Sequence, residues 1–181
     1  MKIINTSLKD VLIIEPKIFE DARGHFFESF NNLTWHENEL PVHFVQDNQS
    51  FSIKGVLRGL HFQKGQHAQG KLVRVIRGRV LDVAVDIRPE SPTFGQYEFF
   101  DLDAETSKMV YIPEGFAHGF IALEDSIFSY KCTAGYHKAS ESGILWNDPT
   151  LQIQWPISAP IVSDKDKVLP TFEMLFSKQS V

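Results

Sequence analysis

From Lys71 to Arg88 the chain reads KLVRVIRGRVLDVAVDIR, in which Val73 and Val75, then Leu81, Val83, Val85 and Ile87, alternate with more polar neighbours on either side of Gly78. Alternation of period two puts successive side chains on opposite faces of an extended chain, so this stretch predicts two strands about a turn, not a helix. Further β-rich runs fall at Val11–Ile14, His43–Gln46, Val56–Phe62, Tyr97–Leu102, Met109–Ile112, Gly119–Leu123, Ile127–Thr133 and Ile153–Trp155, divided by turn signals such as RPESPTFG and NDPT. Many short strands at this spacing predict a mainly β fold, a sandwich or barrel, with an antiparallel jelly roll as the expected form. Helical signals are few: Asn31 or Asn32 caps a segment through Glu39, and Ser163 caps a turn entering DKDKV. No repeat, low-complexity tract or linker marks a second domain. With 43% hydrophobic residues the chain is far too apolar to be disordered, and 181 residues suffice to bury about 70% of the unfolded surface in one core.

The net charge of -5 excludes a generally basic nucleic-acid binder. No apolar run approaches the roughly 18 residues of a spanning helix. The opening MKIINTSLKD lacks the pattern of a secretory signal, so no membrane association is expected and a cytoplasmic location is. The single cysteine, Cys132, excludes an internal disulfide and a thiolate metal cluster. The charge is nonetheless uneven. Between Asn48 and Leu81 there is no acidic residue, while Lys54, Arg58, Lys64, Lys71, Arg74, Arg77 and Arg79 supply seven positive charges; all 23 acidic residues lie elsewhere. Exposed strands with alternating Lys and Arg would give the same count, but such a block is also where a small anionic ligand would be held.

Two polar clusters stand out. RGLHFQKGQHAQGK runs from Arg58 to Lys71, and IPEGFAHGF from Ile112 to Phe120 contains a Pro-x-Gly-x-x-His turn ending at His118. Strict alternation puts Arg58 and His61 on opposite faces of one strand, so a bulge near Gly59 or convergence at a barrel mouth is required to bring them together. Taken together, the clusters resemble the two motifs of the cupin superfamily, in which a His-x-His, an acidic residue and a later His hold a metal inside a jelly roll. Here Gln63 replaces the second His, and the carboxylate is missing, with Lys71 near its place. Even with His67 as a third donor, the ligand count and charge do not suit a divalent ion, so no metal is expected. Read alone, Tyr130 is a packed strand tyrosine and Asp166 a solvated carboxylate.

In order, EPKIFEDARGHFFESFN, FVQDNQS, VLRGLHFQKGQHAQGKLVRVIRG, DVAVDIRPESPTFGQ, IPEGFAHGF, YKCTAGY, ILWNDP and SDKD resemble the bacterial dTDP-4-dehydrorhamnose 3,5-epimerase family over about residues 10–170. The resemblance implies a single cupin-like domain over 1–181, a mainly β jelly-roll barrel with a few short helices, and a homodimer with exchanged N-terminal strands. It implies no metal and no cofactor, and a dTDP-4-keto-6-deoxy sugar as substrate. By the same resemblance His61 is the catalytic base, Asp166 its paired carboxylate, Tyr130 the general acid and Lys71 the residue beside the C4 oxygen. Arg23, Glu28, Gln46, Asp47, Asn48, Arg58, His118, Glu141 and Lys165 match substrate-binding positions, and Tyr136 matches the aromatic that stacks on thymine. Exchanged strands would deliver Arg23 and Glu28 to the partner's pocket. The chain departs from the family pattern at Ala134-Gly135, where a bulkier pair is common, and at Tyr136-His137.

These residue types suit the implied reaction. A C4 ketone acidifies the hydrogens at C3 and C5, and an imidazole, with an ordinary pKa near 6.5, is a base for neutral pH. A carboxylate orients and stabilises the imidazolium, and a cation at the C4 oxygen stabilises the enolate. Inversion needs a proton returned from the opposite face, which a tyrosine can give. Arginine forks such as Arg23 and Arg58 suit a diphosphate, and Tyr136 and Phe26 offer aromatic faces to a base. Three other readings share parts of this pattern: a 3- or 5-monoepimerase with the same base, a non-catalytic cupin that binds a nucleotide sugar, and a metal-dependent cupin.

Overall fold

The computed structural model describes residues 1–176. In chain order the strands and helices are β1 (Lys2–Asn5), β2 (Leu12–Glu15), β3 (Phe19–Asp21), β4 (Gly24–Phe26), α1 (Asn32–Glu37), β5 (Gln46–Ser52), β6 (Val56–Gln63), β7 (Lys71–Arg77), β8 (Arg79–Asp86), β9 (Tyr97–Asp103), β10 (Met109–Ile112), β11 (Phe116–Ala122), β12 (Ser126–Cys132), β13 (Glu141–Gly143), β14 (Ile161–Val162) and α2 (Phe172–Phe176). Single 3-10 turns occupy Gly65–His67, Lys138–Ser140 and Asp166–Val168. One sheet has the order β1-β2-β10-β7-β12-β5 and the other β13-β6-β11-β8-β9; β3 and β4 form a separate hairpin. Every pairing is antiparallel except β14, which lies parallel to β6.

The expected alternation about Gly78 is present, but β8 is buried on both faces. Val80 and Ala84 pack between the sheets with Val73, Val75, Val110, Phe120 and Phe128. Val83, Val85 and Ile87 point the other way, under a cover made by Ile144, Leu151, Ile153 and Phe172. This outer cover explains why β8 carries apolar residues at nearly every position. It also corrects one expectation: Ile153–Trp155 forms no strand, and its alternating apolar residues pack onto the second sheet from irregular chain.

The run at His43–Gln46 is likewise not a strand; pairing begins at Gln46 and continues to Ser52. Phe44 packs instead with Phe30 and the buried Trp35 of α1. Asn31 caps α1 as expected, its Oδ1 accepting from the amides of Leu33 and Thr34 at 3.0 and 3.3 Å, but the helix stops at Glu37, two residues early, and Glu39 turns to a φ of 57°. Ser163 also caps as expected, its Oγ accepting from the amide of Asp166 at 3.1 Å. No helix among the described residues is long and apolar enough to cross a membrane.

Candidate active site

β6 contains a bulge, one of the two arrangements its sequence left open. His61 pairs with His118 and Arg58 with Phe120 of β11, so three steps along β6 are matched by two along β11. The extra residue shifts the alternation and brings Arg58 and His61 onto one cavity of about 560 Å³. Gly59 makes this possible. Its φ is 140°, in the region that favours glycine, and a Cβ there would lie 2.7 Å from the Cα of Gly119.

On this wall His61 Nε2 meets Asp166 Oδ1 at 2.8 Å. Asp166 is 4% exposed, so the solvated carboxylate of the isolated reading is buried. β14 beside β6 and the 3-10 turn that follows it carry Asp166 beneath the imidazole. Burial alone would raise the Asp166 pKa. The hydrogen bond and charge of His61, helped by the Gly59 amide and the Ser163 hydroxyl, outweigh it and hold the carboxyl below its ordinary range.

The facing wall belongs to the other sheet. Tyr130 on β12 and Lys71 on β7 line the same cavity as His61. Lys71 is 7% exposed; burial pushes its pKa down, against the opposing pull of Cys132 and Asp82. Burial raises the Tyr130 hydroxyl, Cys132 adds to the rise, and Arg58 works against it, so the phenol stays protonated near neutral pH.

A second lobe of about 440 Å³ shares His61, Lys71 and Tyr130 with the first and adds Gln46, Asn48, Tyr136 and Glu141. Its rim is tied together: Tyr136 donates from its hydroxyl to Glu141 at 3.0 Å, Lys165 donates to Glu141 at 2.5 Å, and the Tyr136 amide donates to Gln46 Oε1 at 2.8 Å. Arg58, His118 and Lys165 line the first lobe. The site thus gathers eleven of the fourteen residues expected there.

The remaining three, Arg23, Glu28 and Asp47, line neither lobe. Asp47 alternates to the other face of β5 and pairs with Lys131 at 2.9 Å. Glu28 accepts from Asn31 Nδ2 at 2.8 Å, and Arg23 pairs with Asp21 on the exposed β3–β4 hairpin, where Phe26 is 67% exposed.

Several supporting residues escaped the sequence reading. Asp82 is fully buried and meets His118 Nε2 at 2.7 Å; an acid inside the apolar run VLDVAV is the signal that marks it. Ser52 Oγ accepts from Arg58 Nε at 3.0 Å. Gln63, noted only as a missing metal ligand, braces the loop carrying Tyr136: it donates to the Gly135 carbonyl at 3.1 Å and accepts from the His137 amide at 2.7 Å. Among the described residues no three or more His, Cys, Asp or Glu side chains are grouped to hold a metal ion, so the donor set does not suit the metal common to cupins.

Two facing sheets around a cavity with a His–Asp pair on one wall and Lys and Tyr on the other give a cupin-type fold whose site carries groups able to accept and donate protons. The family model described as dTDP-4-dehydrorhamnose 3,5-epimerase matches residues 5–174. The dTDP-4-dehydrorhamnose 3,5-epimerase of Salmonella typhimurium is 54% identical over 176 residues, 96% of each chain. The crystal structure of the enzyme of that name from Elizabethkingia anophelis superposes with a TM-score of 0.92 at 50% identity, covering 96% of this chain and 97% of the other. A dTDP-6-deoxy-D-glucose-3,5-epimerase from Legionella pneumophila, solved in complex with dTDP-4-keto-L-rhamnose, gives 0.92 at 48% identity, covering 97% and 94%. This chain belongs to the dTDP-4-dehydrorhamnose 3,5-epimerase family.

Proposed function

We propose that the chain converts dTDP-4-dehydro-6-deoxy-D-glucose to dTDP-4-dehydro-L-rhamnose by inverting C3 and C5. The observation that carries this reading is the buried His61–Asp166 pair facing Tyr130 and Lys71 across one cavity. Asp166 engages Nε2, which leaves Nδ1 of His61 to take the proton from the carbon next to the C4 ketone. The electron pair of that C–H bond moves into the ring and negative charge collects on the C4 oxygen. The Lys71 ammonium stabilises it, an interaction whose removal costs about 2.7–4 kcal/mol of barrier in comparable sites. Tyr130 then gives its phenolic proton to the carbon from the opposite face, and solvent restores the protonation states of His61 and Tyr130. The same sequence repeated at the second carbon completes the reaction.

Gln46, Asn48, Arg58, His118, Tyr136, Glu141 and Lys165 hold the nucleotide sugar around this centre, with no cofactor. The enzyme works as one cupin-like domain in the cytoplasm, and as a homodimer whose N-terminal strands are exchanged. Arg23 and Glu28 then complete the partner's pocket. This reading accounts for a hairpin with no core of its own, since an isolated two-stranded hairpin is at best marginal in water. Replacing His61→Ala is expected to lower kcat by about 10³-fold while dTDP affinity stays within about threefold. Near-normal turnover by this variant would show that His61 is not the base.

A further inference from the structure

Next to the second lobe two imidazoles lie face to face. His67 ends the 3-10 turn that follows β6, and His137 stands directly before the 3-10 turn that leads into β13. Their ring centroids are 3.9 Å apart and the planes differ by 11°. One side chain also joins their backbones: the Gln63 amide donates to the His67 and Gly135 carbonyls at 2.9 and 3.1 Å and accepts from the His137 amide at 2.7 Å. His137 Nδ1 meets Ser140 Oγ at 2.9 Å, and the Ser140 carbonyl accepts from the Lys64 amide at 2.9 Å. Neither ring lines the cavity, so contact with the sugar or its phosphates does not explain the pair.

The chain neighbour of His137 is Tyr136, whose ring is 56% exposed at the lobe. Before Tyr136, Gly135 brings no side chain, and a Cβ there would meet no atom within 4 Å. The stack on His67 is therefore the ring packing that fixes this stretch from its other side. We propose that His67 and His137 are positioning residues whose stack holds the Tyr136 ring face ready for the nucleotide base; this rests on the reading of Tyr136 as the residue that stacks on the base. Without the stack a smaller fraction of the protein has Tyr136 in place, and apparent affinity falls with that fraction. The pair also has a property that plain packing lacks. Two imidazolium ions at this spacing repel by an amount equal to about fivefold in an equilibrium constant even in water, so acid loosens the stack. Among the described residues the rings' hydrogen-bond partners are Gln66 and Ser140, both neutral. The charged groups of the two turns and their surroundings are Lys64, Lys138 and the Glu141–Lys165 pair, beside the Tyr136 phenol, and none of them pairs with either ring.

The test measures dTDP affinity by calorimetry, turnover of dTDP-4-dehydro-6-deoxy-D-glucose and Tm for wild type, His137→Ala, His137→Phe, Tyr136→Ala and the Tyr136→Ala/His137→Ala double variant. His137→Ala should raise KM and the dTDP Kd by about fivefold, with kcat within about threefold of wild type and Tm unchanged. In the Tyr136→Ala background the same substitution should change the dTDP Kd by less than about twofold, because its effect runs through Tyr136. His137→Phe keeps a ring that cannot charge. It should bind dTDP like wild type at about pH 7.5, and by about pH 5.5 wild type should have lost about threefold more affinity than this variant. Titration of dTDP, His61 and His118 cancels in that comparison. A dTDP Kd for His137→Ala equal to wild type would overturn the assignment, as would an equal loss in both Tyr136 backgrounds or parallel pH profiles for wild type and His137→Phe. A lowered Tm with a matching loss of kcat would overturn it too, because that is the behaviour of a residue the fold needs. If Tyr136→Ala alone leaves the dTDP Kd unchanged, the base-stacking reading fails and the stack's role with it, whereas weakened binding by Tyr136→Ala with an unaltered His137→Ala removes only the role of the stack.

Discussion

Lys71 must be charged to steady an enolate, and its burial makes that charge easier to lose. Because burial lowers its pKa, the ammonium is lost as pH rises through a value below the ordinary lysine range near 10.4. The kcat profile should therefore fall on its alkaline side earlier than a free lysine would dictate, and Lys71→Arg, however much slower, should lose that early fall. A pH–rate profile of both proteins decides the point. Asp86 is a buried carboxylate with the opposite sign. Burial pushes it up, but Arg88, Ser91 and Thr93 hold its pKa down at about 2. Its contribution to stability is complete above the unfolded value near 3.9 and is lost as pH falls toward 2. Asp86→Ala, which removes the shared acceptor of Arg88, Ser91 and Thr93 while Asp10 and the Lys9 carbonyl still hold Arg88, should destabilise the fold by about 1–3 kcal/mol in urea titrations at pH 7 and should flatten the acid limb of stability. Legibility at this scale was uneven. His61 and Lys71 stood out within the polar cluster that runs from Arg58 to Lys71. Asp166 did not, because it lies 105 residues from its imidazole and nothing local marks its burial; only the family resemblance paired the two.

Among the secondary-structure elements, those with an apolar inward face were readable from alternation: β6, β9 and β12 fall within a residue of their expected bounds, and β10 matches them. β5 was not, because its inward face is Gln, Asn and Ser lining a cavity, and so carries no hydrophobic period. The three-residue strands β3 and β4 are too short and too exposed to leave any signal. The conflict between strict alternation and the need for Arg58 and His61 on one cavity was legible, but it left a bulge near Gly59 and convergence at a barrel mouth equally open, and the register that decides between them was not legible. That bulge makes a sharp prediction. Gly59→Ala forces a Cβ against Gly119 at a φ of 140° and should cost about 2–4 kcal/mol of stability, read as a lower urea midpoint. Turnover should fall as well, since straightening β6 would part Arg58 from His61.

Over the whole molecule, the charge of -5 averages an acid-rich remainder of the chain with an acid-free segment between Asn48 and Leu81 that supplies Arg58, His61 and Lys71 to the cavity. If exchanged strands complete each pocket, two inactive variants should rescue one another. Mixed after co-refolding, Arg23→Ala and His61→Ala protomers form heterodimers with one intact pocket, so roughly a quarter of wild-type activity should return. Activity no greater than that of the two homodimers measured separately would place Arg23 in its own chain's site or in none. The central claim is that one base and one acid, on opposite walls, invert two carbons beside a ketone. Turnover of dTDP-4-dehydro-6-deoxy-D-glucose in D2O, read by NMR of the product, tests it most directly. The account predicts an L-rhamno product carrying solvent deuterium at both C3 and C5; a product labelled at one carbon only, or at neither, would contradict it.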